Sequence, residues 1–316
     1  MTSNTEAGAS AARTDPAAQR AAAGPVMPAE PVGRRDASFP LRIASAVVFL
    51  PLLVLAARVG GLVWLAFTLL VVGLALREFY LMMESKGLAP HWKSGTFAVL
   101  LLPIGAYLRF HTGRTAEWNL GGLLTVLIGA ILLAELRRGA GKQAVANIAA
   151  TLLGVFYIGW LGSHIGLLRE LPPAWNLPYA LGASFALLPF FLAWSCDTAA
   201  YAVGLAFGRT KLMPDVSPQK SVEGGVAGLV GAVAAAFVAR AWFAPYLTAV
   251  DAIVLGTLVG VLGQLGDLVE SLLKRDAATK DTSRLIPGHG GVLDRFDSVL
   301  FAAPVVAYYV ILRVLS

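Results

Sequence analysis

Between Gln264 and Asp297 an otherwise hydrocarbon-like chain gathers charge: Q-L-G-D-L-V-E-S-L-L-K-R-D-A-A-T-K-D-T-S-R-L-I-P-G-H-G-G-V-L-D-R-F-D. Gln264, Asp267, Ser271 and Lys274 recur at i, i+3, i+7 and i+10, the spacing that puts one polar stripe along a helix. Ionisable groups in an apolar helix are expensive unless they face protein interior or water, which makes them functional candidates. Asp294 and Asp297 stand i, i+3 where a further helix begins, so both carboxylates can point the same way and Asp267 can approach them from the preceding helix. Three hard oxygen donors without thiolates suit Mg²⁺ or Mn²⁺, with room for a second cation, and argue against structural zinc. Lys274, Arg275, Lys280 and Arg284, followed by Pro287-Gly288-His289-Gly290-Gly291, supply cations and glycine-exposed amides, the makings of a phosphate site. The plainer alternative has Asp267 locking two helices through a neighbouring cation, with Asp294 and Asp297 capping the last helix.

A second polar island runs from Asp197 to Gly225. Asp197 and Tyr201 are one turn apart, and Gly204 and Gly208 continue that face, where small residues admit a neighbouring helix or a lipid head group. Ser217, Lys220 and Ser221 precede a glycine pair that opens the next apolar run, a place where a helix N-terminus binds anions. A cytoplasmic turn with topology-setting lysines reads equally well. No G-x-x-x-x-G-K-[ST] sequence and no serine-hydrolase elbow occur, so neither chemistry has a local motif behind it.

The elements that must position these groups are membrane helices. The 316 residues are 57% hydrophobic and 14% charged, with a mean hydropathy of +0.70, and apolar runs long enough for a hydrocarbon core of roughly 30 Å recur along most of the chain. The runs are continuous and Leu/Ala-rich, unlike the alternating strands of a barrel. The expectation is an all-α, polytopic integral membrane protein with about nine transmembrane helices, near 43–58, 61–80, 95–109, 119–136, 146–168, 178–207, 224–245, 249–274 and 298–314. Pro103 is expected to kink the third, and the sixth is either kinked after Pro189 or two pieces.

Residues 1–40, rich in Ala, Pro, Ser and Thr, read as a disordered cytoplasmic tail; 41–176 form N-terminal transmembrane helices and 177–316 the C-terminal transmembrane catalytic region. Lys and Arg concentrate in alternate connections, around Arg34, Arg35 and Arg42, then Arg77, Lys86 and Lys93, then Arg137, Arg138 and Lys142, then Arg209, Lys211 and Lys220, then Lys274 to Arg295. That bias places the N-terminus and both polar islands on the cytoplasmic side of the inner (cell) membrane. The net charge of +6 is therefore topological, and nucleic acid is not an expected partner. The single cysteine, Cys196, excludes an intrachain disulfide. No internal repeat is apparent, which weighs against a transporter of an anionic solute, an architecture commonly built from two similar halves.

Ser271-x-Leu273-Lys274-Arg275, then Lys280-Asp281, then Pro287-x-His289-Gly290-Gly291-Val292-x-Asp294-Arg295-Phe296-Asp297 resembles the signature of the phosphatidate cytidylyltransferases, or CDP-diacylglycerol synthases. Asp197-x-x-Ala200-Tyr201-x-x-Gly204-x-x-x-Gly208-Arg209 and Ser217-Pro218 with Lys220 and Glu223-Gly224 resemble two further blocks of that family, although Gln219 stands where lysine is usual and Ser221 where threonine is. The resemblance covers about residues 195–298. It implies transfer of a cytidylyl group from CTP to phosphatidic acid, giving CDP-diacylglycerol and pyrophosphate, with a divalent metal. It further implies metal at Asp267, Asp294 and Asp297; phosphate contacts at Lys274, Arg275, Lys280, His289 and Arg295; polar contacts at Ser217, Lys220 and Ser271; and a substrate-side role for Asp197 and Tyr201. His289 alternatively braces the Gly-rich loop. CTP, phosphatidic acid and membrane lipids are the expected partners, with a homodimer allowed. A CTP-dependent lipid kinase or a cytidylyltransferase for another lipid phosphate is the enzymatic alternative.

Overall fold

The computed structural model describes residues 38–112, 117–139, 141, 143–279, 282–283 and 290–315, with side chains described for 47–108 and from 121 onward. The fold is helical: α1 (Ser38–Val59), α2 (Gly61–Ser85), α3 (Trp92–Thr112), α4 (Glu117–Arg138), α5 (Ala144–Glu170), α6 (Leu181–Phe207), α7 (Val222–Trp242), α8 (Ala249–Asp276) and α9 (Leu293–Val314). Among the described residues, six of these, α2 and α5 to α9, are long and apolar enough to cross a membrane. Large apolar side chains such as Leu62, Val126, Leu205 and Trp242 are 70–76% exposed on helix flanks, as a surface facing lipid requires. The chain is a helical integral membrane protein.

Local chemistry sets several boundaries. Thr248 and Asp251 form a reciprocal cap at the start of α8: Asp251 N donates to Thr248 Oγ1 at 3.1 Å and Thr248 N to Asp251 Oδ2 at 2.8 Å. Ser221 Oγ accepts from Gly224 N at 3.1 Å and starts α7. α3 runs on through Pro103, and α6 is one continuous helix through Pro189, as neighbouring helices in a bundle permit. α5 contains a wider π turn, Val155–Trp160, which rotates the residues on either side of it relative to an ordinary helix.

Packing is closest in the C-terminal half, where α6 lies on α7, and α8 on both α7 and α9. Small residues make this possible: a Cβ at Gly224 would stand 2.8 Å from Ala200 O, and one at Gly228 3.1 Å from Cys196 O. α9 is anchored by Phe296, whose ring meets Phe190 at 5.9 Å, Phe49 at 6.3 Å and Phe67 at 6.4 Å, centroid to centroid. Between α6 and α7 the chain forms a small antiparallel hairpin, β1 (Lys211–Met213) with β2 (Ser217–Ser221), pairing Lys211 with Ser221 and Met213 with Ser217.

The bundle has two distinct ends. At one, Lys86 beyond α2 pairs with Asp276 at the close of α8, and Arg275 Nε donates to Val216 O of the hairpin at 3.2 Å. At the other, the buried Arg169 guanidinium donates to Ala57 O at 2.5 Å, Tyr179 O at 3.1 Å and Arg58 O at 3.2 Å, closing α1, α5 and the approach to α6 over one another.

Candidate active site

At the end that carries Lys86, the stripe on α8 meets the first turn of α9. Single carboxylate oxygens of Asp267, Glu270 and Asp297 all lie within 4.8 Å of one another. Asp267 and Glu270 share a face because they are three residues apart on α8, and Asp297 comes from the facing turn of α9. Glu270 is 1% and Asp297 8% exposed. Glu270 Oε1 is buried without a hydrogen-bond partner among the described residues. Acidic oxygens so crowded and so shielded repel each other, and a cation relieves both the repulsion and the unmet acceptor. The donor set is all carboxylate oxygen, which fits a hard divalent cation such as Mg²⁺ or Mn²⁺.

Two lysines flank the trio. Lys220, delivered by β2, pairs with Asp267 Oδ2 at 2.7 Å. Lys274 Nζ bridges Glu270 Oε2 and Asp294 Oδ1, both at 2.8 Å. Asp294 is otherwise engaged through its second oxygen, which accepts from Gly291 N at 2.7 Å, Thr282 Oγ1 at 2.9 Å and Thr282 N at 3.2 Å. The expected metal set held Asp294 beside Asp267 and Asp297. The structure gathers Glu270 with those two, and gives Asp294 the connection between Lys274 and the turn before α9. Gly290, at φ +78°, makes that turn in the left-handed region, with its hypothetical Cβ 2.9 Å from Asp294 Oδ2.

The remaining predicted residues divide by position. Ser271 Oγ lies 3.4 Å from Asp267 Oδ1, and Asp197 Oδ1 lies 3.4 Å from Ser298 Oγ, which places α6 beside the second turn of α9. Ser217 starts β2, while Arg275 is turned toward the hairpin backbone. Tyr201 is 73% exposed, on the outer flank of α6, and Arg295 is also exposed. Lys280 and His289 lie outside the described residues.

Two residues escaped the sequence reading. Glu270 sits three residues after Asp267, within the same stripe, and its i, i+3 spacing was the available signal. Glu78 of α2 is 1% exposed and wraps the start of α9: it accepts from Ser283 Oγ at 2.6 Å, Leu293 N at 2.8 Å, Val292 N at 2.9 Å and Thr282 Oγ1 at 3.1 Å. Its partners lie more than two hundred positions away, so no local pattern announces it.

The chain is similar to known proteins over most of its length. The model of the family described as "Cytidylyltransferase family" matches residues 40–313. A protein named phosphatidate cytidylyltransferase from Synechocystis sp. is 37% identical over 292 residues, covering 86% of this chain and 96% of that protein. Proteins of the same name from Brucella suis and Staphylococcus saprophyticus are 33% and 30% identical, each over 83% of this chain and over 89% and 94% of their own lengths. A match that runs from α1 to the end of α9 takes in every helix that builds the acidic trio, and the chain belongs to the cytidylyltransferase family.

Proposed function

We propose that this protein transfers the cytidylyl group of CTP to phosphatidic acid, releasing pyrophosphate and forming CDP-diacylglycerol for phospholipid synthesis. The observation that carries the reading is the acidic trio of half-buried Asp267 with buried Glu270 and Asp297, between Lys220 and Lys274, set among membrane helices of a chain similar to phosphatidate cytidylyltransferases over most of its length. A site at the end of apolar helices admits a diacyl lipid sideways and a nucleotide from the aqueous side.

In the proposed reaction a phosphate oxygen of phosphatidate bonds to the α-phosphorus of CTP, and the bond from that phosphorus to the bridging oxygen of the β-phosphate breaks. A phosphate monoester has its second pKa near 6, so the nucleophile is already largely anionic and needs no dedicated base. What the chain must do is hold two anions together and accept charge on the departing pyrophosphate. Asp267, Glu270 and Asp297 would hold Mg²⁺ or Mn²⁺, which when bound draws charge from phosphate oxygens. Lys220 and Lys274 stand on either side with ammonium groups fixed by ion pairs, and Arg275 secures the hairpin that carries Lys220. We assign Lys280, His289 and Arg295 to the phosphates of the nucleotide or lipid, Ser217 and Ser271 to polar contacts, and Asp197 to the lipid side of α6. The N-terminus and this end of the bundle face the cytoplasm of the inner membrane, with α1, α3 and α4 as three further crossings.

The test mixes purified protein, labelled CTP, Mg²⁺ and phosphatidate. Pyrophosphate and a nucleotide-lipid are the expected products; release of CDP with a doubly phosphorylated lipid would identify a CTP-dependent kinase. Asp297→Asn is expected to reduce turnover by at least about a hundredfold, a loss of roughly 3 kcal/mol of transition-state stabilisation. Normal turnover in that variant would overturn the role of the trio.

A further inference from the structure

One buried hydroxyl of the N-terminal half lies in the layer of aromatic rings beside the α8–α9 crossing. Tyr157 sits inside the π turn of α5, where the wider winding re-aims a side chain relative to its neighbours. It is 6% exposed, and its hydroxyl is buried without a hydrogen-bond partner among the described residues. Its ring packs edge-on against Phe301 at 6.2 Å and Phe79 at 6.4 Å, centroid to centroid. Phe301 in turn fills the space in front of Gly266, one residue from Asp267 and one turn from Asp297, and Phe79 follows Glu78.

A buried phenol without an acceptor is costly, and no packing requirement explains an oxygen that phenylalanine would omit. We infer that the Tyr157 hydroxyl is a hydrogen-bond donor to an oxygen bound at the Asp267–Glu270–Asp297 site, either a water on the cation or a phosphate oxygen that replaces it. The inference rests on the cation site proposed above. It makes α5 part of that site, so that the N-terminal helices do more than support it.

The experiment uses the full chain in lipid nanodiscs with Tyr157→Phe. Mn²⁺ binding is followed by loss of the free-ion electron paramagnetic resonance signal, with Asp297→Asn as background, and inorganic pyrophosphate binding is measured at saturating Mn²⁺. Loss of one hydrogen bond in a charged site weakens binding about tenfold. A weaker Mn²⁺ affinity identifies a water as the acceptor; an unchanged Mn²⁺ affinity with weaker pyrophosphate binding identifies a phosphate oxygen. In either case the thermal midpoint of the cation-free variant equals or exceeds that of the wild type, because a dissatisfied hydroxyl has been removed. Unchanged affinity for both probes overturns the inference, and so does a variant that unfolds or melts earlier without its cation, since the hydroxyl would then be structural. Wild-type protein that binds no Mn²⁺ sinks the cation site itself and the Tyr157 role with it, whereas normal wild-type binding beside an unaltered Phe variant sinks the Tyr157 role alone.

Discussion

Glu78 shows how one side chain from early in the chain fixes chemistry near its end. The first amides of α9 have no intrahelical partner, and Glu78 takes two of them, from Val292 and Leu293. The Thr282 hydroxyl lies within reach of both Glu78 Oε2 and Asp294 Oδ2; its one proton serves one of them at a time, which couples the two carboxylates. Glu78→Ala would strand buried donors and is expected to cost about 3 kcal/mol of stability, with Glu78→Gln intermediate because only one of its terminal atoms accepts. Thermal unfolding in detergent checks this, and an unchanged midpoint for the alanine variant would show the cap to be idle. Asp267 and Asp297 were legible in the sequence because charge in an apolar helix is conspicuous and helical spacing is short-range. Glu78 was not, because its meaning depends on a helix that pairs with it only after the chain has crossed the bundle.

The trio exists only if α8 and α9 approach closely, and two glycines of α8 test that spacing. A Cβ at Gly266 would stand 2.6 Å from Phe301 Cδ2 and 2.9 Å from Asp297 O, so the backbone of α9 itself would have to yield. A Cβ at Gly263 would stand 3.8 Å from Ser298 Cβ and O, ordinary van der Waals contact. Gly266→Ala is therefore expected to cost about 1–3 kcal/mol and to pull Asp297 from Asp267, with at least a tenfold loss of Mn²⁺ affinity in proportion. Gly263→Ala should leave stability and affinity close to wild type, and is favoured slightly by its better helix propensity. Equal behaviour of the two variants would refute the idea that the α8–α9 spacing sets the site. Helix positions were readable from continuous apolar runs, and α6 and α8 begin and end within a few residues of the sequence expectation. The π turn of α5 and the hairpin before α7 were not, since the first is a one-residue change of winding and the second is held by contacts to Glu223 and Arg275 from other elements.

For the molecule as a whole, the distribution of cations decides which way the bundle faces, and the structure refines which of them to count. Lys86, Lys211, Lys220, Lys274 and Arg275 gather at the end that holds the acidic trio. Arg169, at the opposite end, is 0% exposed, its guanidinium stacked on Tyr179 at 4.0 Å and donating to three carbonyls. Such a cation neutralises the C-terminal dipole of α1 and contributes little to orientation. Discounting it widens the charge difference between the two ends, which supports the proposed cytoplasmic placement of the trio. Labelling checks this with little background, because Cys196 is 1% exposed. A cysteine at Lys211, exposed on the hairpin, should react with a membrane-impermeant maleimide only in inverted vesicles. One at Ala174, exposed between α5 and α6 beside Arg169, should react only in right-side-out vesicles. The reverse pattern would place the trio outside the cell, away from a cytoplasmic supply of CTP, and would overturn the proposed reaction together with the topology.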